Sequence, residues 1–351
     1  MPIPNRMKAM MLTGIRQMKM MEVPFPQLQR ETDVLIRMKR LGVCGSDIHY
    51  YTAGRIGTQV VHYPFPVGHE GAGIVEKTGS GVTLVRTGDH VAIDPAMPCG
   101  HCDQCISGRP HTCRNLKFLG CPGQADGCLS DYVVMPETSC FPLHGNLTLD
   151  HASLSEPLAI GIYAVQKSIG VENAAIGILG FGPIGMSVLL AARAQGAKRI
   201  MVTDRIDARL QMAMNAGASY TGNPDKQDVV KDILHKEPLL LDAVFECCGR
   251  QEALDQAVSL LRPGGKVMII GIPEFDRWSF DAAEIRRKEI DIQNVRRQNN
   301  CTEEALDMIS RGLIPIDPMI THRFPFERTK DAFELVADYR DGVMKAMIEF
   351  E

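Results

Sequence analysis

At 351 residues the chain is too long for one ordinary hydrophobic core and points to two domains. Hydrophobic residues make up 45% and charged residues 23%, the usage of a soluble globular protein, which excludes a disordered or fibrous chain. The 38 basic and 42 acidic residues give a net charge of -4 with no basic block, which excludes an electrostatic footprint for nucleic acid or anionic lipid and leaves a small molecule as the expected partner.

The start of the chain, Met1 to Leu12, carries charges but no apolar segment of signal length, and no run approaches the roughly 18 apolar residues of a membrane span. A cytoplasmic protein with no membrane partner is expected. The methionine-rich stretch from Met7 to Met21 reads as gap-filling core rather than as a metal box. Short apolar runs punctuated by Gly and Pro follow at Val34 to Met38, Gly71 to Lys77, His90 to Ile93 and Ser130 to Met135, and predict a β-rich domain.

Around Glu156 the texture turns helical, and from Ala174 strands and helices alternate. The runs Ile176 to Leu179, Arg199 to Thr203, Leu241 to Glu246 and Lys266 to Ile270 read as strands. Pro183 to Gln195, Ala208 to Ala216 and Glu252 to Leu261 read as the helices between them. Such alternation implies right-handed βαβ units and a doubly wound parallel sheet, so the chain as a whole reads as α/β. After about Asn294 come a helix near Thr302 to Ser310, an extended piece at Ile320 to Phe324 and a final apolar strand, Lys345 to Glu349, suited to rejoin the first domain. The expected domains are therefore 1–155 with 295–351, and 156–294.

Cys99, Cys102, Cys105 and Cys113 are spaced C-x2-C-x2-C-x7-C in a loop that Gly100, Gly108 and Pro110 allow to bend. Four thiolates at this spacing close a tetrahedral shell with no open position, so the loop is expected to hold a structural zinc ion. His101 and His111 lie in the same loop, but the thiolate set is complete without them. A second constellation is dispersed: Cys44 in Gly42-Val43-Cys44-Gly45-Ser46-Asp47, His69 and Glu70 between glycines, and Glu156 before Pro157. A catalytic zinc needs about three mixed N, S and O ligands and one open position. Spacing alone leaves open whether these residues converge; taken singly, Cys44 suits a core position and each glutamate a surface one.

Gly180, Gly182 and Gly185 form a G-x-G-x-x-G fingerprint, with Pro183 and Ile184 between them, directly after one strand run and opening a helix. The glycines permit the tight turn, the approach of backbone to a pyrophosphate and close helix-strand packing, with the helix N-terminus facing the phosphates. Asp204 ends the next strand, 19 residues beyond Gly185, where a carboxylate accepts ribose hydroxyls and repels a 2′-phosphate. Arg205 and Arg209 are suited to attract such a phosphate, yet Asp204 holds the discriminating place, so NAD is expected over NADP. Cys247 and Cys248 read as packing near the cofactor, and Cys121, Cys128, Cys140 and Cys301 as small core residues.

These motifs, in this order, resemble the zinc-containing medium-chain dehydrogenases over essentially the whole chain, with a GroES-like β-rich catalytic domain and a Rossmann domain. The sorbitol and polyol dehydrogenase branch is closer still, through Gly42-Val43-Cys44-Gly45-Ser46-Asp47-Ile48-His49-Tyr50, Glu156-Pro157-Leu158 and Thr321-His322-Arg323-Phe324-Pro325. The resemblance implies oxidation of a polyol to a ketose, one catalytic and one structural zinc per chain, and a homotetramer or homodimer. It implies that Cys44, His69 and Glu70 are zinc ligands, that Glu156 holds the zinc directly or through water, and that Tyr50, Phe118 and Arg296 lie near the substrate. One departure is Arg297, where many polyol dehydrogenases carry an aromatic residue. A second guanidinium suits extra hydroxyls, a carboxylate or a phosphate, and equally an interface.

In the expected chemistry zinc polarises the substrate hydroxyl while nicotinamide accepts the hydride. Ser46 and His49, two and five residues past Cys44, are placed to relay the alcohol proton to solvent, and also suit purely structural hydrogen bonds. A threonine, inositol or sugar-phosphate dehydrogenase is the alternative within the class. Outside it stands a catalytically silent nucleotide-binding protein, against which the joint presence of Cys44, His69, Glu70 and Glu156 argues.

Overall fold

The computed structural model describes residues 5–351. They divide into two units: one runs up to Glu156 and takes back Thr302–Gly312 and Ile316–Glu351, and the other holds Pro157–Cys301 with Leu313–Pro315. The second junction falls after Cys301 because Asp291–Asn294 is still a strand of the second unit's sheet and Val295 N–H donates to Ile269 O at 2.9 Å.

The first unit begins with a hairpin, Arg6–Gly14 against Gln17–Pro24, in which Met10 faces Met20 and Leu12 faces Met18. Met10, Leu12 and Met18 enter a core with Tyr51, Phe65 and Phe333, where unbranched thioethers fill irregular gaps. The main sheet has seven strands centred on Asp33–Gly42. Val34, Leu35, Ile36, Met38 and Leu41 of that strand are all buried, because both of its faces are covered.

Glu70–Thr78 pairs with Asp33–Gly42 along most of its length, Tyr132–Pro136 with its first half, and Lys345–Glu349 with its last three residues. The strand Lys345–Glu349 thus joins the sheet centred on Asp33–Gly42, more than 300 residues earlier in the chain. The register sets Gly42 opposite both Glu70 and Met347, so three distant segments meet where the central strand ends and Cys44 follows. Next comes a helix, Gly45–Ala53, that the sequence does not announce, since Ile48, Tyr50, Tyr51 and Thr52 are weak helix formers. Its ends supply what its interior lacks: Cys44 N–H donates to the Asp47 carboxylate at 3.4 Å, and Gly54 closes it at φ 69°.

The second unit is a six-stranded parallel sheet in the order Tyr220–Gly222, Arg199–Thr203, Ala175–Leu179, Leu241–Glu246, Leu261–Ile269, Asp291–Asn294. The order reverses between Ala175–Leu179 and Leu241–Glu246, the switch point of a doubly wound fold. Ala175–Leu179 is buried at every residue, which is why it reads as an unbroken apolar run. Leu261–Ile269 starts earlier than the sequence suggests, because a bulge between Leu261 and Lys266 absorbs Pro263, Gly264 and Gly265. Among the described residues no helix is long and apolar enough to cross a membrane.

Candidate metal and cofactor sites

The loop from Cys99 to Cys113 brings its four sulfurs within 4.8 Å of one another. Individual separations are 3.5 Å between Cys113 and Cys99, 3.6 Å between Cys102 and Cys105, and 3.8 Å between Cys102 and Cys113. A tetrahedron whose vertices lie ~2.3 Å from its centre, the zinc-thiolate length, has edges of about 3.8 Å. The four sulfurs therefore already outline a zinc shell. Backbone N–H groups of Cys99 and Asn115 each approach Cys113 Sγ at 3.3 Å, the contacts a thiolate accepts. Arg114 clamps Asp103 with bonds of 2.5 and 2.9 Å and fixes the lobe's short helix from outside.

The dispersed constellation is assembled by the sheet. Cys44 Sγ, a ring nitrogen of His69 and a carboxylate oxygen of Glu70 lie within 4.8 Å of one another. Asp47 is fully buried and organises two of the three: its Oδ1 takes Gly68 N–H at 3.2 Å and stands 3.3 Å from His69 Nδ1, while Oδ2 takes Cys44 N–H. An imidazole whose Nδ1 donates to a carboxylate presents Nε2 as a lone-pair donor, the arrangement that orients metal-bound histidines. Burial opposes protonation of His69, but the charges of Asp47 and Cys44 overcome it and hold the imidazole's pKa well above its ordinary value. Ser46 Oγ donates to Cys44 Sγ at 3.3 Å.

Glu70 has a partner the sequence gave little reason to seek. Lys345 Nζ donates to both of its oxygens, at 2.7 and 2.6 Å, and to Val43 O at 3.2 Å, with both side chains 1% exposed. The signal in the sequence was a lone cation followed by three apolar residues in the strand Lys345–Glu349. Room for the carboxylate comes from Gly42, where a Cβ would stand 2.1 Å from Glu70 Oε2. Glu156 is buried outside the 4.8 Å group. Its Oε2 has no hydrogen-bond partner, and burial pushes its pKa up to about 7, with His69 pulling down and Glu70 adding to the rise. An orphaned buried carboxylate oxygen is costly unless a cation or water completes it.

Around this cluster, Phe118 packs its ring 5.4 Å from that of His69. Tyr50 is buried, and its hydroxyl bonds Gln59 Oε1 at 3.3 Å, while Gln59 Nε2 reaches Cys121 Sγ at 2.9 Å. His49 is half-buried on the same helix as Tyr50. Arg296 and Arg297 belong to the second unit, Arg296 exposed and Arg297 half-buried with φ 54°. Sequence reasoning did not single out Asp47, Gln59 or Lys345.

In the second unit the glycine turn has the geometry its motif demands. Gly180 sits at φ 94°, and a Cβ on Gly185 would meet Gly180 O at 2.2 Å. Gly182 caps the helix Pro183–Ala194, whose first turn carries Pro183 and Ile184. Asp204 is tied to this turn, accepting Phe181 N–H at 2.6 Å and Ile206 N–H at 2.8 Å. Of the two nearby arginines, Arg205 turns away to Asp225 at 2.6 Å. Arg209 is buried, with Nη1 3.5 Å from where a Gly182 Cβ would stand.

The profile of the alcohol dehydrogenase GroES-like domain matches residues 30–145, and that of the zinc-binding dehydrogenases matches residues 183–311. Sorbitol dehydrogenase of Bacillus subtilis is 34% identical over 347 residues, covering 99% of this chain and 98% of that protein. L-idonate 5-dehydrogenase of Vitis vinifera is 35% identical, covering 93% of this chain and 90% of that protein. Among solved structures, an alcohol dehydrogenase of E. coli CFT073 in complex with NADH superposes with a TM-score of 0.91 at 28% identity, covering 99% of this chain and 100% of that one.

Proposed function

The chain belongs to the zinc-containing medium-chain dehydrogenases, in the sorbitol dehydrogenase branch, and from that premise we propose that it oxidises a secondary alcohol of a polyol to a ketose with NAD as hydride acceptor. The observation that carries this reading is the buried group of one sulfur, one imidazole and one carboxylate within 4.8 Å, with the orphaned Glu156 oxygen nearby. That mixed donor set fits a zinc ion with an open position, as the sulfur tetrahedron of the lobe fits one without. Two zinc ions per chain follow. When bound, zinc supplies Lewis-acid polarisation of a hydroxyl, and NAD supplies the acceptor for hydride.

The protein's own residues do the rest. Cys44, His69 and Glu70 hold the metal, with Glu156 as a further donor, direct or through water. Asp47 fixes the His69 tautomer, and Lys345 balances the charge of Glu70. Phe118 shields the imidazole from water, and Tyr50, Arg296 and Arg297 serve the substrate. Ser46 and His49 carry the alcohol proton toward solvent. Gly180, Gly182, Pro183, Ile184 and Gly185 receive the pyrophosphate and Asp204 the adenosine ribose; Arg209, at the glycine turn, supplies positive charge there.

Solved neighbours bind NADH and NADP alike, and the choice of NAD rests on Asp204 beside the glycine turn, where a carboxylate repels a 2′-phosphate. Eleven cysteines with none in a disulfide suit a reducing compartment, and we place the enzyme in the cytoplasm. The edge strand Asp291–Asn294 is largely exposed, which supports assembly with another copy as a homodimer or homotetramer.

The test is NADH formation from sorbitol, xylitol, galactitol, L-idonate, threonine and a sugar alcohol phosphate, with NAD and then NADP, before and after chelation. Chelator-sensitive turnover of a neutral polyol with NAD is expected. The L-idonate relative and the Arg296-Arg297 pair favour a sugar acid as the second reading, and turnover of L-idonate alone would replace the first. Silence across the panel would leave a nucleotide-binding protein without catalysis.

A further inference from the structure

The strand Leu241–Glu246 ends where the order of the parallel sheet reverses, beside Ala175–Leu179. In doubly wound sheets the dinucleotide lies in the crevice outside the carboxyl ends at that point. Asp204 stands at the end of the strand on one side and the glycine turn at the centre. The half of the cofactor that carries nicotinamide therefore falls over the loops that follow Leu241–Glu246 and Leu261–Ile269. In those loops the sequence points only to Cys247 and Cys248, as packing near the cofactor, and not to Glu246.

Glu246, the last residue of its strand, has no exposed surface. A sealed carboxylate is expensive unless its neighbours need it, and the neighbours here are backbone. Oε1 accepts Cys248 N–H at 2.8 Å and Gly249 N–H at 2.6 Å, with Arg250 N–H at 3.4 Å, the donors that lead into the helix Gln251–Leu260. The carbonyl of the same residue accepts Ile270 N–H at 2.9 Å and Gly271 N–H at 3.0 Å. One residue thus ties both loops.

The loops also touch each other. A Cβ on Gly271 would stand 2.1 Å from Gly249 N and 2.7 Å from Glu246 Oε2, and one on Gly249 would stand 2.3 Å from Ile272 O. Cys248 carries the first loop against the fingerprint, its Cβ 2.7 Å from where one on Gly180 would be. Burial outweighs the pull of the N–H donors and holds the Glu246 carboxyl above its ordinary pKa, while Oε2 has no hydrogen-bond partner.

We propose that Glu246 is a positioning residue for the cofactor: its carboxylate clamps the loop Cys247–Gly249 while its backbone carbonyl holds Ile270–Gly271 beside it, so that the backbone edges of the two loops form a ready wall for the nicotinamide half of NAD. The inference rests on the cofactor assignment above. It requires that losing the carboxylate weaken binding of the whole dinucleotide more than binding of its adenosine half.

NADH and ADP binding to the zinc-loaded protein are measured by fluorescence and by calorimetry for Glu246→Ala, Glu246→Asp and Glu246→Gln, beside thermal unfolding. Glu246→Ala should weaken NADH about tenfold, the effect of losing a well-placed acceptor, while ADP changes less than about twofold. Glu246→Gln keeps an acceptor at Oε1 and should bind NADH within about twofold of the parent. If the alanine variant does not fold, Glu246→Asp, which keeps the charge but shortens the reach, carries the same comparison. Unchanged NADH affinity in a folded Ala or Asp variant overturns the proposal. Equal losses for NADH and ADP also overturn it, since that would mark general damage to the unit. A parent protein that binds no NADH would instead overturn the cofactor assignment, and this inference with it.

Discussion

Cys99, Cys102, Cys105 and Cys113 come from one loop of 15 residues and sit mostly half-exposed, whereas Cys44, His69 and Glu70 come from the end of one strand and the start of another and are largely buried. Apart from its thiols the loop is held by short turns, by Arg109 and Thr112 donating to Gln104 Oε1, and by the Arg114–Asp103 clamp on its surface. The buried group is fixed from behind by Asp47, Lys345 and the pairing of Gly42 with Glu70. The first arrangement is expected to depend on its ion for order, and the second to be held by the sheet itself. One is legible in spacing and the other in register.

Removing one thiolate from each cluster should break the two in different ways, with the largest effects of all. Cys102→Ser should lower the zinc content from two per chain to one and open the loop between Cys99 and Cys113 to proteolysis. Cys44→Ser should also lower the zinc content to one and reduce turnover more than about 100-fold, yet leave the thermal midpoint within about 3 °C of the parent. Metal analysis, proteolysis and a melting curve on both variants check this. A Cys44→Ser protein that unfolds, or a Cys102→Ser loop that resists protease, would reverse the comparison.

The Lys345–Glu70 pair sharpens it further. Replacing one member of a buried ion pair leaves an uncompensated charge and typically costs about 3–5 kcal/mol. Lys345→Met should therefore destabilise the protein by about that much in urea unfolding. Adding Glu70→Gln should recover most of the loss, because no charge is then left stranded. A cost under about 1 kcal/mol for Lys345→Met alone would show that the sheet, and not the pair, holds the site. No exposed pair in the cysteine loop should approach this magnitude.

What could be read from the sequence follows the same division. The glycine fingerprint, Asp204 and the four cysteines signal through short spacing, and the parallel sheet through alternating apolar runs, so each is a local pattern that survives in one dimension. Lys345 and Glu70 are 275 residues apart, and only the pairing of three strands brings them together. Asp47 lies inside the segment Gly42–Tyr50, but its contact with His69 depends on how the helix Gly45–Ala53 packs, and that helix is made by its caps rather than by its propensities. The bulge before Lys266 was hidden for a related reason: Pro263-Gly264-Gly265 has turn composition, and only pairing with Leu241–Glu246 draws it into a strand.

The smallest expected effect tests the loop from its outside. Arg114 holds Asp103 through two bonds, but both side chains are more than half exposed, so water and salt screen the attraction. If the ion orders the loop, Arg114→Ala should leave two zinc ions per chain and the activity unchanged, and should raise the rate of proteolysis between Cys99 and Cys113 by no more than about twofold. Salt should erase even that difference, because a screened pair contributes nothing for the substitution to remove. Loss of the loop's zinc in Arg114→Ala would mean that the clamp positions the thiolates for the metal, so that this cluster too is held by the protein's own contacts and the contrast with the buried group narrows to a difference in exposure alone.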